Sequence, residues 1–172
     1  MDNLIIRDLG PGDVDDLHAI AQHWSVVRQL GGWPWPADRA FTASRSTPYA
    51  GRGFVWGLER GGRIVGSIAV TKGELGYMLH PDVWGKGIAT RIARRAITHA
   101  FATDRMEWID AAVWADNAAS AHVLRKLGFT HWQTRFEHAR ARGVPVQAHH
   151  FRLTRRTCDG LRMSPNWRNS AA

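Results

Sequence analysis

Cysteine is almost missing from this 172-residue chain, where Cys158 is the only one. A single thiol cannot close an internal disulfide or build a cysteine metal cluster, and that scarcity suits a reducing cytoplasm. No stretch approaches the ~18 consecutive apolar residues that a membrane span requires. The opening MDNLIIRDLGPGD carries an acid at its second position and no long apolar run, which predicts no secretory signal. Nine histidines are present, yet there is no HExxH motif and no paired Cys/His spacing. His149 and His150 are adjacent on an expected strand and point to opposite faces, so no metal is predicted. Internal repeats are absent too. Collagen, disulfide scaffolds, transmembrane proteins and low-complexity tails are excluded.

What remains is a soluble globular composition, 44% hydrophobic. The length fits one domain, expected over residues 1–156, with 157–172 as a loosely held tail. The formal charge of +8 is unevenly placed. Residues 1–124 are neutral overall, and the excess lies in residues 125–172, which hold ten cations and two acids. Such a segment suits nucleic acid, a phosphate-rich cofactor, an acidic substrate or simply a solvated arginine-rich surface.

Periodicity predicts a strand over 3–9, then a helix capped by Asp13 with Val14, Leu17, Ala21 and Trp24 on one stripe. GGWPWP at 31–36 breaks that helix, and a short second one begins near Asp38. Strands Phe54–Leu58 and Ile64–Val70 flank ERGGR, a hairpin signal. Glu74–His80 is a further strand, ended by Pro81. Ile88–Phe101 is the strongest helix, with Arg91, Arg94 and Arg95 expected to face outward. A strand over Glu107–Trp114 follows, then a helix over Ala118–Leu127 capped by Asn117 and stopped by Gly128. Strands over 130–137 and 145–153 close the pattern. The order β-α-α-β-β-β-α-β-α-β-β predicts an α/β (α+β) fold: one mixed, mostly antiparallel sheet flanked by helices.

The stretch Trp84-Gly85-Lys86-Gly87-Ile88-Ala89-Thr90 joins a strand to the best helix. Two glycines let a backbone approach a ligand closely. The first N–H groups of the helix lack internal partners, and Lys86 adds positive charge, so the loop suits a phosphate or pyrophosphate. A dinucleotide fingerprint would need a glycine where Thr90 stands, and the spacing of a Walker loop is absent. A tight turn that binds nothing is the bland alternative.

A second segment narrows the choice. HPDVWGKGIATRIARRAI followed by ADNAASAHVLRKLGF resembles the GNAT superfamily of acetyl-CoA-dependent N-acetyltransferases, over roughly residues 4–155. Within it the chain is similar to the RimJ/RimL-type branch, whose members acetylate protein N-termini and other amines; WPWP and RGVPVQAHHFRL also fit that branch. The family pattern of Gln or Arg, two residues, Gly, one residue, then Gly or Ala falls on Trp84, Gly87 and Ala89, with Trp84 departing from it. The resemblance implies a sheet splayed in the middle, with acetyl-CoA held by the N–H groups of Gly85, Lys86, Gly87, Ile88, Ala89 and Thr90. It also implies that the backbone of Met78, Leu79 and His80 pairs with the pantetheine arm, and that Asn117 bonds the arm from the other side.

A carboxylate is the usual base for such an amine. The family position on the 107–114 strand is Ala112 here, so the base implied by resemblance is Glu74, with Asp110 as a rival or a structural acceptor. A backbone N–H near Met78 is the expected oxyanion donor. The thiolate-protonating tyrosine of the wider family corresponds to Leu124. The branch instead offers Ser120, whose alternative is a capping role beside Asn117. The expected partners are acetyl-CoA and an amine-bearing small molecule or peptide, with no specific nucleic acid and no membrane, in a monomer or homodimer. A non-catalytic acyl-CoA-binding module is the competing class.

Overall fold

The computed structural model describes residues 4–163. Its strands are β1 (Leu4–Asp8), β2 (Gly53–Arg60), β3 (Arg63–Thr71), β4 (Glu74–Leu79), β5 (Trp108–Trp114), β6 (Thr130–Ala139) and β7 (Val144–Thr154). Its α-helices are α1 (Val14–Ala21), α2 (Trp24–Val27), α3 (Arg39–Arg45), α4 (Ile88–Thr103), α5 (Ala118–Lys126) and α6 (Arg155–Arg162). The strands form one sheet in the order β1-β2-β3-β4-β5-β7-β6. Every neighbouring pair is antiparallel except β4–β5, which is parallel. The mixed, helix-flanked sheet expected from the sequence is therefore present.

One face of the sheet packs on α4. Ile92, Ala93, Ala96, Ile97 and Phe101 meet Leu58, Ile68, Val70, Leu79, Ile109 and Phe151 in the main core. Full burial of each leucine, isoleucine, valine or phenylalanine among them contributes roughly 1.5–3 kcal/mol. The other face carries a second cluster, in which Leu9, Leu17, Ile20, Val26, Ile64 and Met78 pack together. Ile64 and Ile68 lie on opposite faces because the register shifts between Leu58 and Glu59, leaving Val65 as an extra residue in β3.

Four local expectations are corrected. The first helix stops at Ala21; His23 is extended, α2 starts afresh at Trp24, and Val26 and Val27 take the buried positions while Trp24 turns outward. Asp13 does not cap α1 with its side chain. Its carboxylate instead accepts from both terminal nitrogens of Arg7 at 2.8 Å and from Gly10 N–H at 2.8 Å, and the Arg7 hydrogen bonds hold its pKa below the usual carboxylate range. Arg94 is buried rather than outward, because α4 is covered over more of its circumference than the arginine spacing suggests.

The fourth correction concerns the C-terminal segment. Residues 157–162 are not loosely held: they belong to α6, whose Cys158 is fully buried in the main core. Arg155 fastens this helix by donating to the carbonyls of Phe101, Asp104 and Met106 at 2.7–3.1 Å. These are unpaired acceptors at and beyond the end of α4, where a cation also meets the negative helix pole. Leu161 packs so closely over Gly128 that a Cβ there would stand 2.3 Å from it. Residues 164–172 of the expected tail, and residue 3 of the first strand, lie outside the described residues.

Candidate active site

The parallel strands β4 and β5 touch at a single bridge, Glu74 opposite Asp110, with Asp110 N–H donating to Gly73 O at 2.9 Å. Beyond it they part, β5 continuing along β7 and β4 along β3. Which backbone groups line the opening follows from the β3–β4 register. His80 N–H donates to Val65 O at 2.8 Å, directly opposite it, so His80, Met78 and Gly76 form the hydrogen-bonded pairs with β3. The intervening Leu75, Tyr77 and Leu79 turn their N–H and C=O toward β5. This corrects the expectation for Met78 and His80, whose backbone groups are turned to β3; only Leu79 of that trio faces the opening, and Tyr77 joins it. The carbonyl of Leu79 is already engaged, because Trp84 Nε1–H donates to it at 2.9 Å.

At the wide end of the opening lies the turn into α4. Gly85 and Gly87 both take left-handed φ values, 72° and 71°, which an L side chain rarely adopts. The first helical bond of α4 runs from Arg91 N–H to Gly87 O, so the N–H groups of Ile88, Ala89 and Thr90 precede it. Lys86 Nζ donates to Asp82 O at 2.8 Å, which places its charge beside the turn. Free amides, left-handed glycines and a nearby ammonium fit a diphosphate.

Across the opening, Asn117 Oδ1 accepts from Ser120 N–H at 3.1 Å and caps α5, which leaves its amide nitrogen to donate elsewhere. Ser120 Oγ in turn accepts from the Tyr77 hydroxyl at 3.1 Å. The Ser120 proton is thereby directed away from Tyr77. Burial raises the Tyr77 pKa, so the phenol stays a donor.

Glu74 sits at the apex of the splay, on the sheet face shared with Gly76 and Met78. It opens to solvent yet is closely ringed by protein, and that desolvation raises its pKa; Glu137 and Asp110 push the same way, while His150 and Arg135 oppose. Its charged neighbours are themselves paired. Asp110 accepts both bonds of a bidentate fork from Arg152, at 2.7 and 2.8 Å, which makes it a structural acceptor. Glu137 accepts from Arg135 Nε at 2.6 Å and lies 2.9 Å from His150 Nε2. A proton on that nitrogen serves Glu137; without it the nitrogen accepts from Arg135, 3.1 Å away. Glu74 has no ion-pair partner among the described residues.

Next to Glu74 a cavity of about 760 Å³ runs over the sheet face opposite α4. Its walls include Leu30, Trp33, Phe41, Tyr49 and Val55, and its polar groups include Arg45, Ser67, Thr71, Lys72 and Glu74. That is the size and character of a small-molecule or chain-terminus site.

The profile of the family described as an acetyltransferase (GNAT) domain matches residues 3–130. The chain belongs to the GNAT acetyltransferase family. An uncharacterised N-acetyltransferase of Bacillus subtilis, YoaA, is 27% identical over 141 residues, covering 74% of this chain and 80% of the relative. Among solved structures, AAC(6')-Ib in complex with ribostamycin and coenzyme A superposes with a TM-score of 0.76 at 16% identity, covering 95% of this chain and 99% of the other. Spermidine N-acetyltransferase from Vibrio cholerae, in complex with CoA and spermine, gives 0.74 at 15% identity, covering 90% and 97%. These likenesses establish the fold. Family membership brings acetyl-CoA-dependent acetyl transfer as the reaction class.

In this GNAT chain, sequence reasoning missed Tyr77, His150 and Glu137. The parity of β4 relative to a hairpin pairing is the signal that points to Tyr77. No local signal points to the other two, which reach Glu74 only through the β6–β7 hairpin. Much of the C-terminal basic excess is spent internally: Arg135, Arg142 and Arg152 pair with Glu137, Asp116 and Asp110, and Arg140 and Arg155 bind carbonyls. Among the described residues no helix is long and apolar enough to cross a membrane.

Proposed function

We propose that this chain moves the acetyl group of acetyl-CoA to a primary amine, on a protein N-terminus or a small molecule, by direct attack in a ternary complex, as a RimJ/RimL-type member of its family. The observation that carries this reading is the single-bridge splay. It leaves backbone donors, a carboxylate and a hydroxyl facing one opening, with a diphosphate-suited turn at its end. When bound, acetyl-CoA supplies the thioester whose carbonyl carbon the amine attacks.

The chain's own groups divide the remaining work. The N–H groups from Gly85 to Thr90, with Lys86, hold the diphosphate. Leu79 N–H and the Asn117 side-chain amide hold the pantetheine arm. Tyr77 N–H faces the developing oxyanion, where a fixed donor in a dry site lowers the barrier. Glu74 takes the amine proton, a role suited to a carboxylate whose pKa is raised. Ser120 gives a proton to the departing sulfur and is oriented by Tyr77.

Glu74→Gln tests this. Turnover should fall about 10²–10⁴-fold with acetyl-CoA affinity unchanged, and the loss should shrink at high pH, where the free amine is already neutral. The wild-type rate should fall with acid through a midpoint above the ordinary carboxylate range. Linkage sets the sign for stability. A carboxylate with a raised folded pKa contributes stability below its unfolded pKa and loses it as pH rises through the folded one. Glu74→Gln should therefore stabilise the fold at neutral pH and leave it nearly unchanged in acid. A chain that binds coenzyme A but acetylates no amine at any pH would defeat the transferase reading.

A further inference from the structure

The charges around the cavity select its occupant. Arg45 and Lys72 line it, and among the described residues neither has a carboxylate partner. Arg45 is held in place by its guanidinium, 4.9 Å above the Phe41 ring. Arg140 stacks over the same ring at 4.8 Å and extends the positive rim. Lys72 occupies the tight β3–β4 turn with φ of 53°, a value seldom taken by a residue with a side chain, and its exposed side chain lines the cavity. Glu74 is the one carboxylate in the lining. The acids nearest Glu74, Asp110 and Glu137, are paired with Arg152 and Arg135.

We infer that the acceptor is a monoamine whose apolar, preferably aromatic body carries a carboxylate, in chemical class an α-amino acid; this rests on the acetyl-transfer reading above. The amine meets Glu74, the body packs against Trp33, Phe41 and Tyr49, and the carboxylate meets Arg45 and Lys72. A polyamine or aminoglycoside brings further positive charges to a lining that already holds two. The same cations disfavour the ammonium form of the acceptor and so help expose the lone pair that attacks. Arg45 also has the planar fork that binds a carboxylate through two bonds.

The full chain, supplied with acetyl-CoA, is offered phenylalanine, phenylalaninamide, phenethylamine, spermidine, kanamycin and a peptide with a free N-terminus and an acidic side chain. Products are read by mass spectrometry. Phenylalanine should exceed phenylalaninamide and phenethylamine in kcat/KM by about tenfold to a hundredfold, the worth of one charged hydrogen-bonded contact. Arg45→Gln should raise KM for phenylalanine by a similar factor and abolish the preference over the amide, with coenzyme A affinity intact. Preference for the acidic peptide over phenylalanine would assign the same carboxylate recognition to a chain terminus and overturn the amino-acid assignment. Preference for spermidine or kanamycin, or indifference to Arg45→Gln, would overturn the inference outright. Calorimetry on the coenzyme A-saturated chain separates this from a failure of the transferase reading. Phenylalanine that binds, and loses binding in Arg45→Gln, supports the charge assignment even if no acetyl group moves; spermidine binding more tightly refutes it.

Discussion

Replacing Arg152 with methionine probes the apex of the splay, because this one side chain neutralises Asp110 and fills the space between two indoles. Its guanidinium lies 4.4 Å from the Trp108 ring centroid and 4.5 Å from that of Trp132. Methionine keeps the apolar stem in this sandwich and removes only the charge. Cation–π contacts at exposed sites are worth ~0.5–1 kcal/mol each, so two contribute about 1–2 kcal/mol. The Asp110–Arg152 fork is partly open to water, its side chains 30% and 31% exposed, and such a pair adds about 1 kcal/mol rather than the 3–5 of a sealed one. The expected loss is about 2–3 kcal/mol, or roughly 5–10 °C in Tm for a chain of this size. Urea unfolding followed by far-UV circular dichroism reads it without interference from altered tryptophan emission. A double-mutant cycle with Asp110→Asn should return a coupling of about 1 kcal/mol. The variant also leaves an unneutralised carboxylate beside Glu74, so the acid limb of the rate profile should move to higher pH. Stability within about 0.5 kcal/mol of the parent, the noise of a surface substitution, or an acid limb moving downward would refute this account of the apex.

Two further perturbations address the cofactor turn and the hydroxyl pair. Gly87→Val forces a β-branched side chain into a left-handed conformation and places bulk where the diphosphate would lie; calorimetry should show coenzyme A affinity reduced tenfold or more in a variant that remains folded by circular dichroism, and unchanged affinity would move the diphosphate elsewhere. Tyr77→Phe should cost about 1 kcal/mol of stability and slow turnover less than Ser120→Ala does, with both defects depending on the leaving thiol rather than on pH; full activity in both would remove the hydroxyl pair from the reaction.

Alternation and breakers made the strands and long helices readable, since these are local properties of the chain. The turn at Gly85–Gly87 and the cap at Asn117 were readable for the same reason. The edge that Tyr77 and Leu79 present was not, because the direction of an N–H depends on the residue opposite, and Val65 is reached only through the β3–β4 register. The bulge that separates Ile64 from Ile68 is likewise a property of two strands. α6 was hidden by its composition: an arginine-rich segment with two apolar anchors, Cys158 and Leu161, finds its stability in the space above Gly128 rather than in its own periodicity. Glu137 and His150 stand more than sixty residues from Glu74, and only the hairpin of β6 and β7 brings them near.

The pairing around Glu74 sets its chemical role. Four other charged groups act on it, and had Asp110 or Glu137 been left bare, the added repulsion would favour a protonated, inert Glu74. Had Arg135 turned to Glu74 instead of Glu137, its pKa would have been pulled down and the carboxylate would be a poor base. The structure does neither: each neighbouring acid is satisfied by a cation on β6 or β7, and the one carboxylate left without a partner is raised mainly by desolvation. A bound acceptor displaces water from the cavity beside Glu74, which strengthens this desolvation and, in the lowered local dielectric, the coulombic influences of its neighbours as well. The arginine pairs on β6 and β7, remote from the chemistry, keep the neighbouring acids balanced and so leave Glu74 free to take the amine proton.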